Sequence, residues 1–169
     1  MLSVVILTFN SEKYLKEVLE SAKFADEIIV VDSGSKDNTR QICDGFSNVK
    51  FHEQAWLGFG AQKQKGVDLA KNEWVFVLDS DEVITNELKN EIISTLKEPK
   101  FNAYNVARLN FFFGKAIKNM GLYPDYTVRL FNKNFAKFDG RAVHEKVVLN
   151  DGSQRLGALK NHFLHYAYE

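Results

Sequence analysis

An α/β fold, with helices packed over a mostly parallel central sheet, is what this sequence predicts. Three observations carry that. The runs 4–7, 28–31 and 74–78 are unbroken apolar stretches, too short for buried helices and rich in Val and Ile or in aromatics, as strands buried on both faces are. Stretches with helical apolar spacing separate them. Each run stops at short polar or acidic residues: Thr8-Phe9-Asn10, Asp32-Ser33-Gly34-Ser35 and Asp79-Ser80-Asp81.

In order, Ser3 to Thr8 reads as the first strand, and Asn10 or Ser11 is positioned to cap the helix that follows. Tyr14, Leu15, Val18, Leu19 and Ala22 form that helix's apolar stripe. Glu27 to Val31 is a second strand, and Asp37 can cap a short helix through Ile42. Val49 to His52 is a third strand. A Trp56-Leu57-Gly58-Phe59-Gly60 loop leads to a helix over 61–70, and Trp74 to Leu78 is the fourth strand. The βαβαβαβ order predicts parallel pairing with right-handed crossovers. Thr85 then caps a helix whose stripe is Leu88, Ile92, Ile93 and Leu96, and which Pro99 closes. Residues 101–109 and 127–131 read as further strands. The Phe111-Phe112-Phe113 run reads as core, or as rings on which sugar faces stack.

The totals narrow the class. A chain of 169 residues fits one domain with a real core. Lys+Arg and Asp+Glu are both 22, so the net charge is zero, which argues against nucleic acid as a partner. The single Cys43 excludes an internal disulfide and suggests a reducing, cytoplasmic setting. No signal peptide is evident, and no apolar run approaches the roughly 20 residues that span a bilayer.

The chemistry gathers at the fourth strand. Asp79, Asp81 and Glu82 follow five apolar residues directly. Unpaired buried carboxylates are too costly, so the cluster belongs where the strand leaves the core. Asp79 and Asp81 point the same way if strand geometry continues. Two convergent carboxylates suit Mg²⁺ or Mn²⁺ shared with substrate phosphates. With the other two strand ends they outline a nucleotide pocket at the carboxyl edge of the sheet. A Gly-x-Gly-x-x-Gly after the first strand is lacking, as is a Gly-Lys-Ser/Thr loop, which argues against dinucleotide and P-loop folds.

Three segments, Ser3 to Asn10, Val30 to Thr39 and Leu78 to Glu82, resemble family 2 glycosyltransferases with the GT-A fold. The resemblance implies that Thr8, Asn10 and Asp32 contact the nucleotide. It implies that Asp79 and Asp81 meet ribose and a diphosphate-bound Mn²⁺ or Mg²⁺, and that Ser33, Gly34 and the residues through Asp37 shape the neighbouring loop. Lys63 is read as a phosphate or nucleotide contact, or as a solvated helix lysine. Arg129 is read as the partner of an acid or a phosphate.

Glu145 follows His144 in a strand-like run and sits where the family places its general base. Asp125, in a Tyr-Pro-Asp-Tyr turn, is the second candidate. The alternative for either is an ion pair with Lys146, Arg129 or Arg141. A C-terminal His completes the metal shell in many GT-A enzymes. His165 matches that place first and His162 second, the alternative being core packing.

The segments 58–60, 123–131, 143–147 and 165–168 are similar to bacterial lipopolysaccharide core β-1,4-glucosyltransferases, which use UDP-glucose and glycosylate an inner-core heptose. That similarity implies an inverting, metal-dependent hexosyltransferase with UDP-glucose as the first expected donor and a glycan or glycolipid acceptor. The expected site of action is the cytoplasm, at the inner face of the membrane as a peripheral protein. Residues 1–98 would form the nucleotide-sugar half and 99–169 the acceptor half of one catalytic domain. Members of that branch continue with further helices, so the chain is expected to be cut from a longer protein. A nucleotidyltransferase and a non-catalytic sugar-nucleotide-binding module are the rival readings.

Overall fold

The structure, a computed structural model, describes residues 1–118, 123–141 and 145–168. Its elements are β1 (Leu2–Thr8), α1 (Leu15–Ala22), β2 (Glu27–Asp32), α2 (Thr39–Asp44), β3 (Val49–Glu53), α3 (Phe59–Leu69) and β4 (Trp74–Asp79), followed by β5 (Glu82–Ile84) and α4 (Asn86–Thr95). The second half adds β6 (Ala103–Phe112), β7 (Lys115–Ala116), β8 (Asp125–Asn132), β9 (Ala136–Phe138), β10 (Val147–Leu149) and β11 (Gly157–Tyr168). The sequence readings that involve residues 120–122 and 142–144 fall outside the described residues.

Among the described residues nine strands form one sheet in the order β3-β2-β1-β4-β8-β6-β11-β5, with β7 paired to β6. The expected parallel pairing holds from β3 to β4. Beyond β4 the sheet becomes mixed: β8 runs antiparallel to both β4 and β6, β11 lies parallel to β6, and β5 is antiparallel to β11. β7, in the link from β6 to β8, folds back antiparallel on the end of β6, and β8 follows antiparallel along the same strand.

Alternation along the first strands builds two cores. Val4, Ile6, Ile28, Val30, Phe76 and Leu78 face α1 and α4, meeting Leu15, Val18, Leu19, Leu88 and Ile92. Val5, Leu7, Ile29, Val31, Val75 and Val77 face α3 and the β9–β10 hairpin. Gly66 permits the close seat of α3 on β1, since a Cβ there would lie 2.3 Å from the Val5 side chain. The chain builds outward from β1 to β3, then places β4 on the other side of β1. That reversal opens a crevice at the carboxyl ends of β1 and β4.

Local signals meet mixed fates. Thr85 caps α4 as expected, its hydroxyl accepting from Leu88 N. Neither Asn10 nor Ser11 caps α1 through its side chain. Asn10 instead turns left-handed, at φ 48°, and its Oδ1 accepts from Lys36 N. The core reading of the Phe run fails for Phe113, which is 82% exposed at the β6–β7 turn. No helix among the described residues is long and apolar enough to cross a membrane.

At the opposite edge of the sheet, buried Glu27 accepts from Ser3 Oγ, Lys71 N and Lys50 Nζ. Burial pushes its carboxyl up, but these partners outweigh it and hold the group below its ordinary 4.5. A lowered folded value stabilises above the unfolded one, and that stabilisation fades as pH falls. Glu27→Gln is therefore expected to lower the urea midpoint at pH 7. The gap to wild type should shrink as pH drops below about 4.5, and a gap independent of pH would refute the ion-pair account.

Candidate active site

The crevice holds a cavity of about 570 Å³ lined by Leu7, Thr8, Phe9, Ser33, Trp56, Phe59, Asp79 and Ser80. Its floor is strand ends and its rim is aromatic, with Trp56 and Phe59 in edge contact at 4.8 Å. Apolar walls with a few polar groups are the usual character of a small-molecule site. The Trp56–Phe59 rim was read from sequence only as a loop.

The loop after β2 is built on Asp32. Its carboxylate accepts from Thr8 Oγ1, Ser35 Oγ, Gly34 N and Ser35 N, at 2.5 to 2.9 Å. With these four donors the Asp32 side chain shapes the loop. Gly34 takes φ 95°, which a side chain would disfavour. Ser33 is the residue of this loop that lines the cavity, with its Oγ accepting from Gln62 Nε2. Asn10 lies outside the cavity lining and braces the same loop, its N–H donating to Ser35 Oγ.

Five charged side chains alternate in sign behind the cavity. Glu145 Oε1 lies 2.7 Å from Lys63 Nζ, and Lys63 Nζ lies 3.2 Å from Asp79 Oδ1. Asp79 Oδ2 is 3.3 Å from Arg129, and Arg129 donates to Glu82 Oε1 at 2.6 Å. Lys63 is 5% exposed, which corrects the reading of a solvated helix lysine. Arg129 is buried too; it pairs with acids and does not reach the cavity lining. Burial pushes the Asp79 carboxyl up, yet the Arg129 and Lys63 charges outweigh this and hold it at about 2. Glu82 departs from the expectation that the acidic cluster lies outside the core. It is fully buried, accepting also from Asp79 N. Burial pushes it up to about 7 against the pull of Arg129.

Asp79 and Asp81 find different partners. The chain turns at 80–81, so strand alternation does not continue. Asp79 is occupied by two cationic side chains, whereas Asp81 faces β11. There His165, opposite Glu82 in register, brings Nε2 to 3.6 Å from Asp81 Oδ2. His165 Nδ1 lies 2.7 Å from Asn110 Oδ1. An amide oxygen accepts, so with the Asn110 oxygen in that place Nδ1 is the donor of the pair. Burial pushes the imidazole down, against the pull of Asp81, and burial pushes Asp81 up.

An imidazole nitrogen facing a carboxylate, with the ring's other nitrogen hydrogen-bonded to an amide, is a donor arrangement that suits a divalent cation. Asp81 and His165 therefore fit the metal, while Asp79 is engaged by Lys63 and Arg129. No cluster of three or more His, Cys, Asp or Glu is gathered among the described residues, so the other ligands would be substrate oxygens and water. His162 instead contacts the Tyr123 hydroxyl at 3.2 Å. Asn110 gave no sequence signal, because only the β6–β11 register brings it to His165.

The two candidate bases differ in setting. Asp125 opens β8 and is ion-paired with Arg108 at 2.5 Å, on a side chain 40% exposed. Glu145 stands in an irregular link, not a strand, and is drawn inward by Lys63.

A model of glycosyl transferase family 2 matches residues 3–157. The chain belongs to glycosyltransferase family 2. Among curated relatives, the lipopolysaccharide core biosynthesis glycosyltransferase LpsC of Rhizobium meliloti (strain 1021) is 28% identical over 166 residues, 94% of this chain and 62% of LpsC. Among solved structures, S. aureus TarS 1–349 in complex with UDP-GlcNAc matches with a TM-score of 0.73 at 20% identity, over 99% of this chain and 59% of that one. Glucosyl-3-phosphoglycerate synthase of Mycobacterium tuberculosis, in complex with Mn²⁺, UDP and glucosyl-3-phosphoglycerate, matches with a TM-score of 0.52 at 22% identity. That match covers 68% of this chain and 44% of the synthase. The fold is thus the α/β GT-A fold of these glycosyltransferases, with a mixed sheet flanked by helices. The chain spans 56% to 62% of the length of the first curated relatives it matches.

Proposed function

We propose that this chain is the catalytic part of an inverting glycosyltransferase. It moves a sugar, glucose in the first instance, from a UDP-sugar to a lipopolysaccharide inner-core or other glycan acceptor. The observation that carries this reading is the Asp81–His165 donor pair, beside a cavity at the sheet's carboxyl edge. The LpsC relationship supports the acceptor class, and the TarS and synthase complexes support a UDP-sugar donor and Mn²⁺.

In this reading Thr8, Phe9 and Ser33 line the nucleotide side of the cavity, and the loop held by Asp32, Gly34 and Asn10 keeps them in place. Asp81 and His165 would hold Mn²⁺ or Mg²⁺. The cation supplies Lewis-acid neutralisation of the leaving diphosphate. Glu145 removes the acceptor hydroxyl proton, the acceptor oxygen bonds to the anomeric carbon, and the carbon–diphosphate bond breaks to release UDP. Residues 1–98 supply the donor side and 99–169 the acceptor side. The protein works peripherally at the cytoplasmic face of a membrane.

The test is thermal stabilisation by a panel of nucleotide-sugars, with and without Mn²⁺, together with metal-dependent UDP release. Stabilisation by UDP-sugars that requires Mn²⁺ is expected, on the order of 2 to 3 kcal/mol at a hundredfold excess over Kd. No response to any nucleotide would overturn the reading. Binding without UDP release, even with acceptor, would reduce the chain to a sugar-nucleotide-binding module.

A further inference from the structure

We propose that Lys63 is the positioning residue for Glu145, and that it acts on turnover through this carboxylate and not by gripping the donor. The proposal rests on the reading of Glu145 as base. Its footing is the geometry between α3 and the link ahead of β10. Lys63 leaves α3 one turn after Gly60, buried, and its ammonium reaches Glu145 Oε1 at 2.7 Å. Gly60 admits this approach: a Cβ there would lie 2.7 Å from Arg141 O and 3.2 Å from Glu145 Cβ. Helix and link thus touch at two points, one backbone and one ionic.

The other charges near Glu145 leave Lys63 as its only direct partner among the described residues. Asp79 takes the far side of the ammonium, and Arg129 is committed to Asp79 and Glu82. The Lys63 contact is made through Oε1, so it anchors one oxygen of the Glu145 carboxylate. An ammonium already engaged by two carboxylates is a poor diphosphate ligand, because each phosphate contact would have to displace an existing ion pair. A base must be held within hydrogen-bond reach of the proton it takes, and small misplacements are costly.

The experiment is steady-state kinetics on Lys63→Met, Lys63→Arg, Glu145→Gln and the double variant Lys63→Met/Glu145→Gln, with single-turnover rates for the slow ones. Lys63→Met is expected to lower kcat by about 10- to 100-fold with donor KM within about threefold of wild type. Lys63→Arg should restore most of kcat, since a guanidinium can make the same contact. In the Glu145→Gln background, Lys63→Met should add almost nothing, because the two residues act as a unit. A donor KM raised equally in both backgrounds would make Lys63 a phosphate ligand and overturn the proposal. Full additivity of the kcat losses would overturn it as well. If Lys63→Met does not fold, Lys63→Arg and the UDP-induced thermal shift carry the comparison. An arginine variant with lost kcat but a native UDP shift would refute simple anchoring by charge. Normal turnover in Glu145→Gln would instead sink the base assignment, which is a separate outcome.

Discussion

Asp81→Ala is expected to lower turnover by about 10²- to 10⁴-fold and to remove its dependence on Mn²⁺, the several kcal/mol that Lewis-acid stabilisation of a leaving group provides. The size follows from what the two half-sites share. Asp79, two residues earlier, cannot take over, because Lys63 and Arg129 hold both of its oxygens. His165 alone would offer one neutral nitrogen and no charge. His165→Ala leaves the carboxylate in place and should cost less. Asn110→Ala is expected to weaken metal affinity by about 10- to 100-fold, as loss of an outer partner does, because it removes the hydrogen bond that orients the imidazole. Half-saturation by Mn²⁺, followed through UDP release, reads all three. Wild-type turnover that persists in excess EDTA would remove the metal from the site. An Asp81→Ala enzyme with unchanged Mn²⁺ half-saturation would assign the ligand elsewhere.

These effects bear on what the sequence alone could reveal. β1, β2 and β4 were legible because each is buried on both faces, and burial on both faces writes an unbroken apolar run. The antiparallel entry of β8 beside β4 was not, since the period-2 pattern of 127–131 is the same in either direction. The α4 cap at Thr85 was legible because a cap is a local contact, made to Leu88 three residues on. Asn10 looked like a cap for the same reason. A partner 26 positions away, Lys36, claimed its side chain instead.

The site divided along the same line. Asp81 and His165 were recognisable as donor types, but Asn110, which holds the imidazole, is visible only once β6 and β11 pair. The carboxylates at 79, 81 and 82 read as one exposed cluster. Arg129, some fifty positions later, draws Glu82 into the core and takes one side of Asp79. Charge alternation among residues from four elements and a loop leaves no periodic trace, so neither Lys63's burial nor its partners could be read in advance.

Glu145→Gln is expected to lower kcat by about 10²- to 10⁴-fold, the usual worth of a positioned general base, while UDP still raises the melting temperature as in wild type. Glutamine is the informative replacement. Its amide oxygen can still accept from Lys63, so the link ahead of β10 should keep its place against Gly60. What it loses is the capacity to take a proton. Asp125→Asn should cost less, because that carboxylate receives two N–H groups of Arg108 and mainly ties β8 to β6. The contrast between the two variants discriminates better than either alone. If Asp125→Asn were the slow enzyme and Glu145→Gln kept full turnover, the proton would pass to Asp125. The Lys63–Glu145 pair would then be a structural clasp, because its loss would no longer touch the reacting oxygen.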